Sequence, residues 1–349
     1  MIARLKAATW RALGGLYSVS GLSQFRHQGR VIVLTYHRVV PQTVAERQHI
    51  QPGMYMLEKS FAAHVAYLRE HFTILSLDEL LDLWRTNQFK SDRSYCVITF
   101  DDGWRDNYQF AFPILRKYAV PATIFLATDF IGTTRWFWPD RMMLVLERAR
   151  AQTSGPTTRD EVSALLADTV GVRQSAADGN FMSVKSGMPI DSGAIIELCK
   201  EVAVDEIENL IDRLGRVLCL DGPSERVLLD WTEVREMAAQ GVSFGSHSCS
   251  HRILTNIPLS EVGRELIESR NAMLAQGVTP SSAFCYPNGN FNPGIQKLVG
   301  ESGYRAAVGC EIGLEGDRPD DLYALKRVSL HEDSSSSDPL LALALSGIR

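Results

Sequence analysis

The stretch 97-VITFDDGWRDNY-108 decides how the rest of the chain is interpreted. Its first four residues are typical of a strand, which ends in the adjacent carboxylates Asp101 and Asp102 and a glycine. In a continuing strand neighbouring side chains point to opposite faces, whereas a turn at the strand end can bring both carboxylates to one site. An exposed Asp-Asp-Gly turn is the simpler interpretation of this stretch alone. The alternative is a metal ligand beside a general base.

A second informative stretch is 244-FGSHSCSHRIL-254, in which His247 and His251 also follow a predicted strand. Residues four apart share a face of a helical turn, so both imidazoles could meet one ion. In barrel-like α/β folds the carboxyl ends of the strands converge on one mouth. Two histidines and one aspartate there would bind a divalent metal that activates water, and a second carboxylate would accept the water's proton.

Short apolar runs alternate with helix-like segments along most of the chain, which predicts parallel βαβ units and an α/β fold. The alternation is interrupted at residues 139–229, where helical periodicity without clear strands predicts a mainly helical insertion. The predicted organisation is an amphipathic helical segment at 1–30, a catalytic domain at 31–333 and a tail at 334–349. Within the tail, residues 339–345 form a candidate apolar helix.

Composition narrows the classes of partner. A net charge of −5 argues against nucleic-acid binding through phosphates. Six scattered cysteines without a Cys-x-x-Cys pair, and no clear signal peptide, favour a reduced cytoplasmic protein. Residues 1–45 hold six basic residues and no acidic one, so this segment either contacts the inner membrane surface or packs on the domain.

Together, 99-TFDDG-103 and 247-HSCSH-251 resemble the polysaccharide deacetylases of the NodB-homology type. The resemblance runs in motif order from 36-YHRV-39 to 327-RVSL-330 and excludes the helical insertion. It implies a distorted (β/α) barrel with fewer than eight strands. It also implies that Asp101 is the catalytic base and that Asp102, His247 and His251 bind a divalent metal, zinc first, with cobalt, nickel or manganese as alternatives.

The third family motif departs from its usual form. Here the stretch reads 284-FCYPNG-289, which resembles a sub-branch with Tyr-Pro-x-Gly, and Cys285 stands where the family has an arginine beside the base. The sequence therefore shows no obvious cation next to Asp101, although Arg327 could replace it or contact the substrate. The resemblance makes the backbone of Asn288 the oxyanion donor.

Five further assignments complete the predicted site. His331 is either the general acid or an exposed loop histidine, because its spacing is shorter than the family motif requires. Substrate contacts are expected from His37, Tyr286, Trp138 and Asp140, while Trp138 could equally anchor the insertion in its core.

The predicted function is a metal-dependent hydrolase that removes the N-acetyl group from an N-acetylated sugar. The sugar would belong to a glycan or to a lipid-linked or nucleotide-linked intermediate, in the cytoplasm or at the inner membrane face. A deacylase acting on a formamide or an O-acetyl ester, and a non-catalytic glycan-binding module, are the alternatives.

Overall fold

The computed structural model describes residues 14–15, 26–151, 156–174, 180–222 and 224–347. The chain divides into two compact units, one of residues 1–44, 53–133 and 226–349 and the other of residues 45–52 and 134–225. The segment expected at 1–30 lies almost entirely outside the described residues. Among the described residues, no helix combines the length and the apolar character that a membrane-spanning helix needs.

The described strands are, in chain order, β1 (Val31–Tyr36), β2 (Arg38–Val40), β3 (Tyr55–Leu57), β4 (Thr73–Leu75), β5 (Tyr95–Phe100), β6 (Ala122–Leu126), β7 (Val172–Gln174), β8 (Phe181–Ser183), β9 (Pro189–Ile190), β10 (Val242–Ser246), β11 (Pro280–Cys285), β12 (Ala306–Val308) and β13 (Val328–Ser329).

The described α-helices are α1 (Gln42–Ala45), α2 (Glu58–His71), α3 (Leu77–Arg85), α4 (Phe112–Tyr118), α5 (Trp138–Ala151), α6 (Pro156–Val170), α7 (Ser192–Cys199), α8 (Val204–Val217), α9 (Trp231–Ala238), α10 (Leu259–Ala275), α11 (Pro293–Glu301), α12 (Glu332–Ser335) and α13 (Asp338–Leu345). A π-helical turn spans Asn107–Ala111, and 3₁₀ turns span Leu254–Asn256 and Pro287–Gly289.

The first unit is built on a parallel sheet in the order β12-β11-β10-β6-β5-β1-β13, and β4 also pairs with β5. Parallel neighbours require crossovers, and helices supply them at most steps along the chain. In the register, Thr35 of β1 is the partner of Thr99 of β5 and of Ser329 of β13. The carboxyl ends of these strands therefore lie side by side, as the sequence predicted for the residues that follow them.

Both faces of this sheet are covered. On β1, Ile32 and Leu34 belong to one apolar cluster, whereas the alternate residues Val31 and Val33 belong to another. This period of two explains why the strand is apolar throughout, since each face packs against its own layer. Helix α13 of the tail joins the first cluster through Leu341 and Leu345, and it begins at Asp338, one residue before the predicted start.

The second unit has its own core, formed by side chains of α5, α6, α7 and α8 together with Val172 and Phe181. It also contains a small antiparallel sheet of β7, β8 and β9, which the sequence analysis did not predict. The longest of these strands has three residues, too short for alternation to stand out from a helical background. Helices provide most of the residues of this segment, as the prediction of a mainly helical insertion required.

Candidate active site and metal centre

The two carboxylates after β5 both turn inward because the backbone leaves the strand conformation between them. Asp101 still donates its N–H to the carbonyl of Tyr36 at 3.0 Å, but Asp102 and Gly103 have φ values of +75° and +79°. Residue 102 thus occupies a left-handed conformation that non-glycine residues rarely adopt. Both carboxylates are about 96% buried, each being 4% exposed. The simpler interpretation of this stretch as an exposed turn is therefore wrong.

The loop after β10 brings the two histidines to the same place. The backbone of Ser248 and His251 has φ values of +65° and +58°, so the loop is not the helical turn that the spacing suggested. The imidazoles nevertheless converge, with ring centroids 4.9 Å apart. Their Nε2 atoms lie 3.5 Å (His247) and 3.2 Å (His251) from Oδ1 of Asp102.

These three side chains suit a divalent metal. Candidate ligand atoms of Asp102, His247 and His251 all lie within 4.8 Å of one another. The other ring nitrogen of His247, Nδ1, is 2.8 Å from the carbonyl oxygen of Cys285, which can only accept a hydrogen bond. The proton therefore belongs on Nδ1, which leaves the lone pair of Nε2 directed at the site, as is usual for metal-binding histidines.

A second possible ligand group, formed by Asp101, His247 and Cys285, suits a cation less well. Arg327 places its guanidinium against two of its members, with Nη2 at 2.7 Å from Asp101 Oδ2 and 3.5 Å from Cys285 Sγ. A metal ion there would face this positive charge. Burial also raises the pKa of the Cys285 thiol, whereas the thiolate is the form that binds metals.

The second oxygen of Asp102 is held by the indole of the tryptophan that follows the Asp-Asp-Gly stretch. Trp104 donates its Nε1–H to Asp102 Oδ2 at 2.8 Å, which leaves Oδ1 facing the histidines. The guanidinium of Arg38 stacks on the Trp104 ring, with Cζ 4.6 Å from a ring centroid, and binds Asp106 at 2.7 Å. A tryptophan directly after Asp-Asp-Gly was the one sequence signal for this support.

Asp101 does have a cation beside it. Arg327 donates from Nη1 to Oδ1 at 2.8 Å and from Nη2 to Oδ2 at 2.7 Å, and the Arg327 and Asp101 side chains are 1% and 5% exposed. Of the two roles expected for Arg327, replacement of the missing cation is the one that this contact supports. Because Arg327 is buried and directed at Asp101, its side chain is placed to orient that carboxylate rather than to reach solvent.

The charge on Arg327 controls the protonation state of Asp101. Burial alone would raise the pKa of Asp101, but the adjacent guanidinium, its two hydrogen bonds and the neighbouring histidines, His37 among them, lower it to about 2. The carboxylate is therefore ionised at neutral pH and available to accept a proton. His37 directly follows β1, at the end of the strand as predicted.

The third motif forms a tight turn at the end of β11. Asn288 adopts a left-handed conformation with φ +57° inside the Pro287–Gly289 turn, which fixes the direction of its backbone amide. The Tyr286 ring is fully buried and stacks on Phe291 at 4.8 Å, while its hydroxyl donates to the carbonyl of Tyr323. This placement favours support of the turn over the substrate contact expected from Tyr286.

A family model for polysaccharide deacetylase matches residues 89–168 and 205–307, together just over half of the chain. The chain belongs to the polysaccharide deacetylase family. The predicted family and the predicted enzyme class, a hydrolase of carbon–nitrogen bonds, are thereby confirmed.

Two relatives of this deacetylase show how far the similarity extends. The protein YxkH of Bacillus subtilis (strain 168), whose name also places it among the polysaccharide deacetylases, is 21% identical over 280 residues, covering 80% of this chain and 67% of YxkH. The poly-beta-1,6-N-acetyl-D-glucosamine N-deacetylase of Staphylococcus epidermidis is 34% identical over 80 residues, 23% of this chain and 27% of the relative.

Solved structures share the fold of this deacetylase at low sequence identity. The deacetylase PplD of Streptococcus pyogenes, solved with acetate, superposes with a TM-score of 0.56 at 16% identity, covering 90% of this chain and 97% of PplD. IcaB from Ammonifex degensii superposes with a TM-score of 0.54 at 16% identity, covering 91% of this chain and 97% of IcaB. The predicted distorted (β/α) barrel is confirmed, although its sheet has eight described strands where fewer than eight were expected.

The remaining predicted residues lie on other elements of the deacetylase. His331 follows β13, the strand beside β1, and its Nδ1 is 3.7 Å from Asp333 Oδ2. Trp138 and Asp140 belong to the first turn of α5 in the second unit, where Trp138 packs against that unit's core. Roles for His331, Trp138 and Asp140 in catalysis or substrate binding stay predictions.

Proposed function

We propose that this deacetylase removes the N-acetyl group from an N-acetylated sugar of a glycan and that it depends on a divalent metal, zinc first. The observation that carries the proposal is the pairing of one ionised carboxylate, Asp101, with an adjacent group of two histidines and a second aspartate. The name of the Staphylococcus epidermidis relative supports an N-acetylglucosamine polymer as the substrate class.

Asp102, His247 and His251 are the residues that would hold the ion. When bound, a divalent cation lowers the pKa of water and polarises a carbonyl group. Asp101 then accepts the proton of the attacking water, and Arg327 keeps its carboxylate ionised and oriented for that transfer.

The other polar groups stabilise the oxygen that becomes negatively charged and protonate the leaving nitrogen. The backbone N–H of Asn288 donates to the oxygen that gains negative charge as water adds to the carbonyl carbon. When the carbon–nitrogen bond breaks, the nitrogen needs a proton, which His331 or His37 supplies from the ends of β13 and β1. The products are acetate and a protonated amine, so both protons of the added water end on the nitrogen.

The cellular setting is part of the same proposal. Six basic residues and no acidic one within residues 1–45 support contact with an anionic membrane surface on the cytoplasmic side. A lipid-linked or nucleotide-linked sugar would be available there. Sedimentation with vesicles that contain anionic lipid tests this contact, and equal partition to neutral vesicles would contradict it.

The reaction is tested by acetate release from zinc-loaded protein supplied with N-acetylglucosamine oligomers and with lipid-linked and nucleotide-linked N-acetyl sugars. The Asp101→Asn variant should still bind zinc but lose about 10²- to 10⁴-fold in kcat. The Asp102→Asn variant should instead lose zinc.

Formamide and O-acetyl analogues of the same sugars complete the panel. Release of formate or of ester-linked acetate alone would reassign the acyl group. No release from any substrate by protein that holds stoichiometric zinc would overturn the proposal and favour a glycan-binding role.

A further inference from the structure

The loop that bears the two histidines, residues 247–251, is attached to helix α10 by a buried glutamate. Glu265 is only 7% exposed, and its Oε2 accepts hydrogen bonds from the backbone N–H groups of Cys249 and Ser250 at 2.8 and 2.9 Å. Its Oε1 accepts from the Ser250 hydroxyl at 2.6 Å. The carboxylate therefore contacts the middle of the loop, between the two histidines.

These bonds complete the hydrogen bonding of a strained segment. The backbone N–H groups of residues 128 and 129 donate to the carbonyls of Ser248 and Cys249. The N–H groups of Cys249 and Ser250 donate to Glu265 instead of to backbone carbonyls. Ser248 and His251 both have positive φ values, a conformation that persists only where the surroundings enforce it. Without Glu265, two backbone donors would lose their acceptor while the strain remained.

Three successive turns of helix α10 face the loop and the residues on either side of the loop. Glu261, Glu265 and Ser269 are spaced four residues apart on one side of the helix. Glu261 binds Arg252 just after the loop, and Ser269 Oγ lies 2.5 Å from Ser246 Oγ just before it. Of these three residues, Glu265 is the one that accepts from amides within the loop.

We propose that Glu265 is a positioning residue that holds His251, and with it the ligand group, in the geometry that binds the metal. The inference rests on the proposed metal dependence and goes beyond it, because the hydrogen bonds described for Glu265 hold the backbone of the loop and the Ser250 hydroxyl, which lie between the two histidines. Groups that orient metal ligands commonly change metal affinity by about 10- to 100-fold when they are removed.

The test measures zinc affinity of the full chain by competition with a chromogenic chelator and records the visible spectrum of the cobalt form. Glu265→Gln keeps the reach and an accepting oxygen without the charge, whereas Glu265→Asp keeps the charge and loses the reach. We expect zinc affinity within about threefold of wild type for the first variant and a loss of about 10- to 100-fold for the second. The cobalt spectrum should change only in the second variant.

Glu261→Gln is the matched control, because Glu261 lies on the same helix and also binds Arg252 but contacts no loop amide in the described structure. It should leave affinity and spectrum unchanged. Unchanged zinc affinity and cobalt spectrum in Glu265→Asp would overturn the inference, as would an equal loss in Glu265→Gln and Glu265→Asp. A wild-type chain that binds no zinc would instead overturn the proposed function, and the inference with it.

Discussion

The guanidinium of Arg327 donates one hydrogen bond to each carboxylate oxygen of Asp101, although the two residues are 226 positions apart in the chain. Between them lies β1, whose Thr35 hydroxyl also contacts Arg327 Nη1 at 3.1 Å. Nε of the same guanidinium donates to the carbonyl of Gly309. A bidentate contact of this kind orients a carboxylate more firmly than a single point charge can.

Replacing Arg327 should shift the pH dependence of the reaction. Because Arg327 lowers the pKa of Asp101, Arg327→Lys should raise that pKa by losing the two-pronged contact, and Arg327→Met should raise it further. The base works only when ionised, so the acidic limb of the profile of kcat/KM against pH should move to higher pH. Lys326→Met, which changes an adjacent charge bound to Asp320, should leave the limb in place. An unmoved limb in Arg327→Met would contradict the assignment of Asp101 as the base.

The same contact should govern acid stability of the metal-free protein. The pKa of Asp101 is about 2 in the folded state, below the usual value of about 4, so the folded form binds fewer protons than the unfolded form. Its contribution, roughly 2 kcal/mol, is complete above about pH 4 and is lost as the pH falls toward 2. Urea unfolding with a chelator present should show this loss in wild type and a smaller one in Asp101→Asn. If the free energy of unfolding fell equally with pH in the two proteins, the predicted contribution of Asp101 to acid stability would be contradicted.

The convergence of the candidate metal ligands and the candidate base could be predicted from the sequence because each follows a recognisable strand. Apolar runs ending at Asp101 and before His247 are local patterns, and parallel strands bring their carboxyl ends together. The sequence correctly predicted that these side chains converge, but the predicted helical turn between the two histidines was wrong. The loop is instead held by residues in the left-handed conformation and by Glu265.

Arg327 could be suggested but not placed from the sequence. The strand that directly follows it, β13, has two residues, and only the pairing of Val328 and Ser329 with β1 shows that this strand lies beside β1. Such a register depends on contacts between distant parts of the chain, which no local pattern contains. The same limit applies to Glu265. In the sequence it is indistinguishable from the other polar residues of its helix, because nothing local indicates the loop that it contacts.

The indole of Trp104 should contribute to metal binding through Asp102. Trp104→Phe removes the N–H that Asp102 Oδ2 accepts, so zinc affinity should fall by about tenfold. Trp84→Phe is a matched control, because Trp84 is also buried and its Nε1–H donates to the carbonyl of Gly316. Both variants should lower the free energy of unfolding, whereas chelator competition should detect weaker zinc binding only in Trp104→Phe. Equal affinities in the two variants would remove Trp104 from the metal site.

The turn that carries the two carboxylates should be destabilised by a side chain at residue 103. Gly103 has φ +79°, and a Cβ there would lie 2.7 Å from Leu126 Cδ2 and 3.2 Å from Ile131 Cδ1. Gly53 offers a control, since it has a similar φ of +82° but no heavy atom within 4 Å of the added Cβ. Gly53→Ala should therefore cost only the backbone strain, about 1 kcal/mol, and Gly103→Ala about 1–3 kcal/mol more. Urea unfolding of both variants measures the difference, and equal losses would mean that Leu126 and Ile131 move aside freely. Because the displaced turn carries Asp101 and Asp102, Gly103→Ala should also reduce kcat, while Gly53→Ala should not.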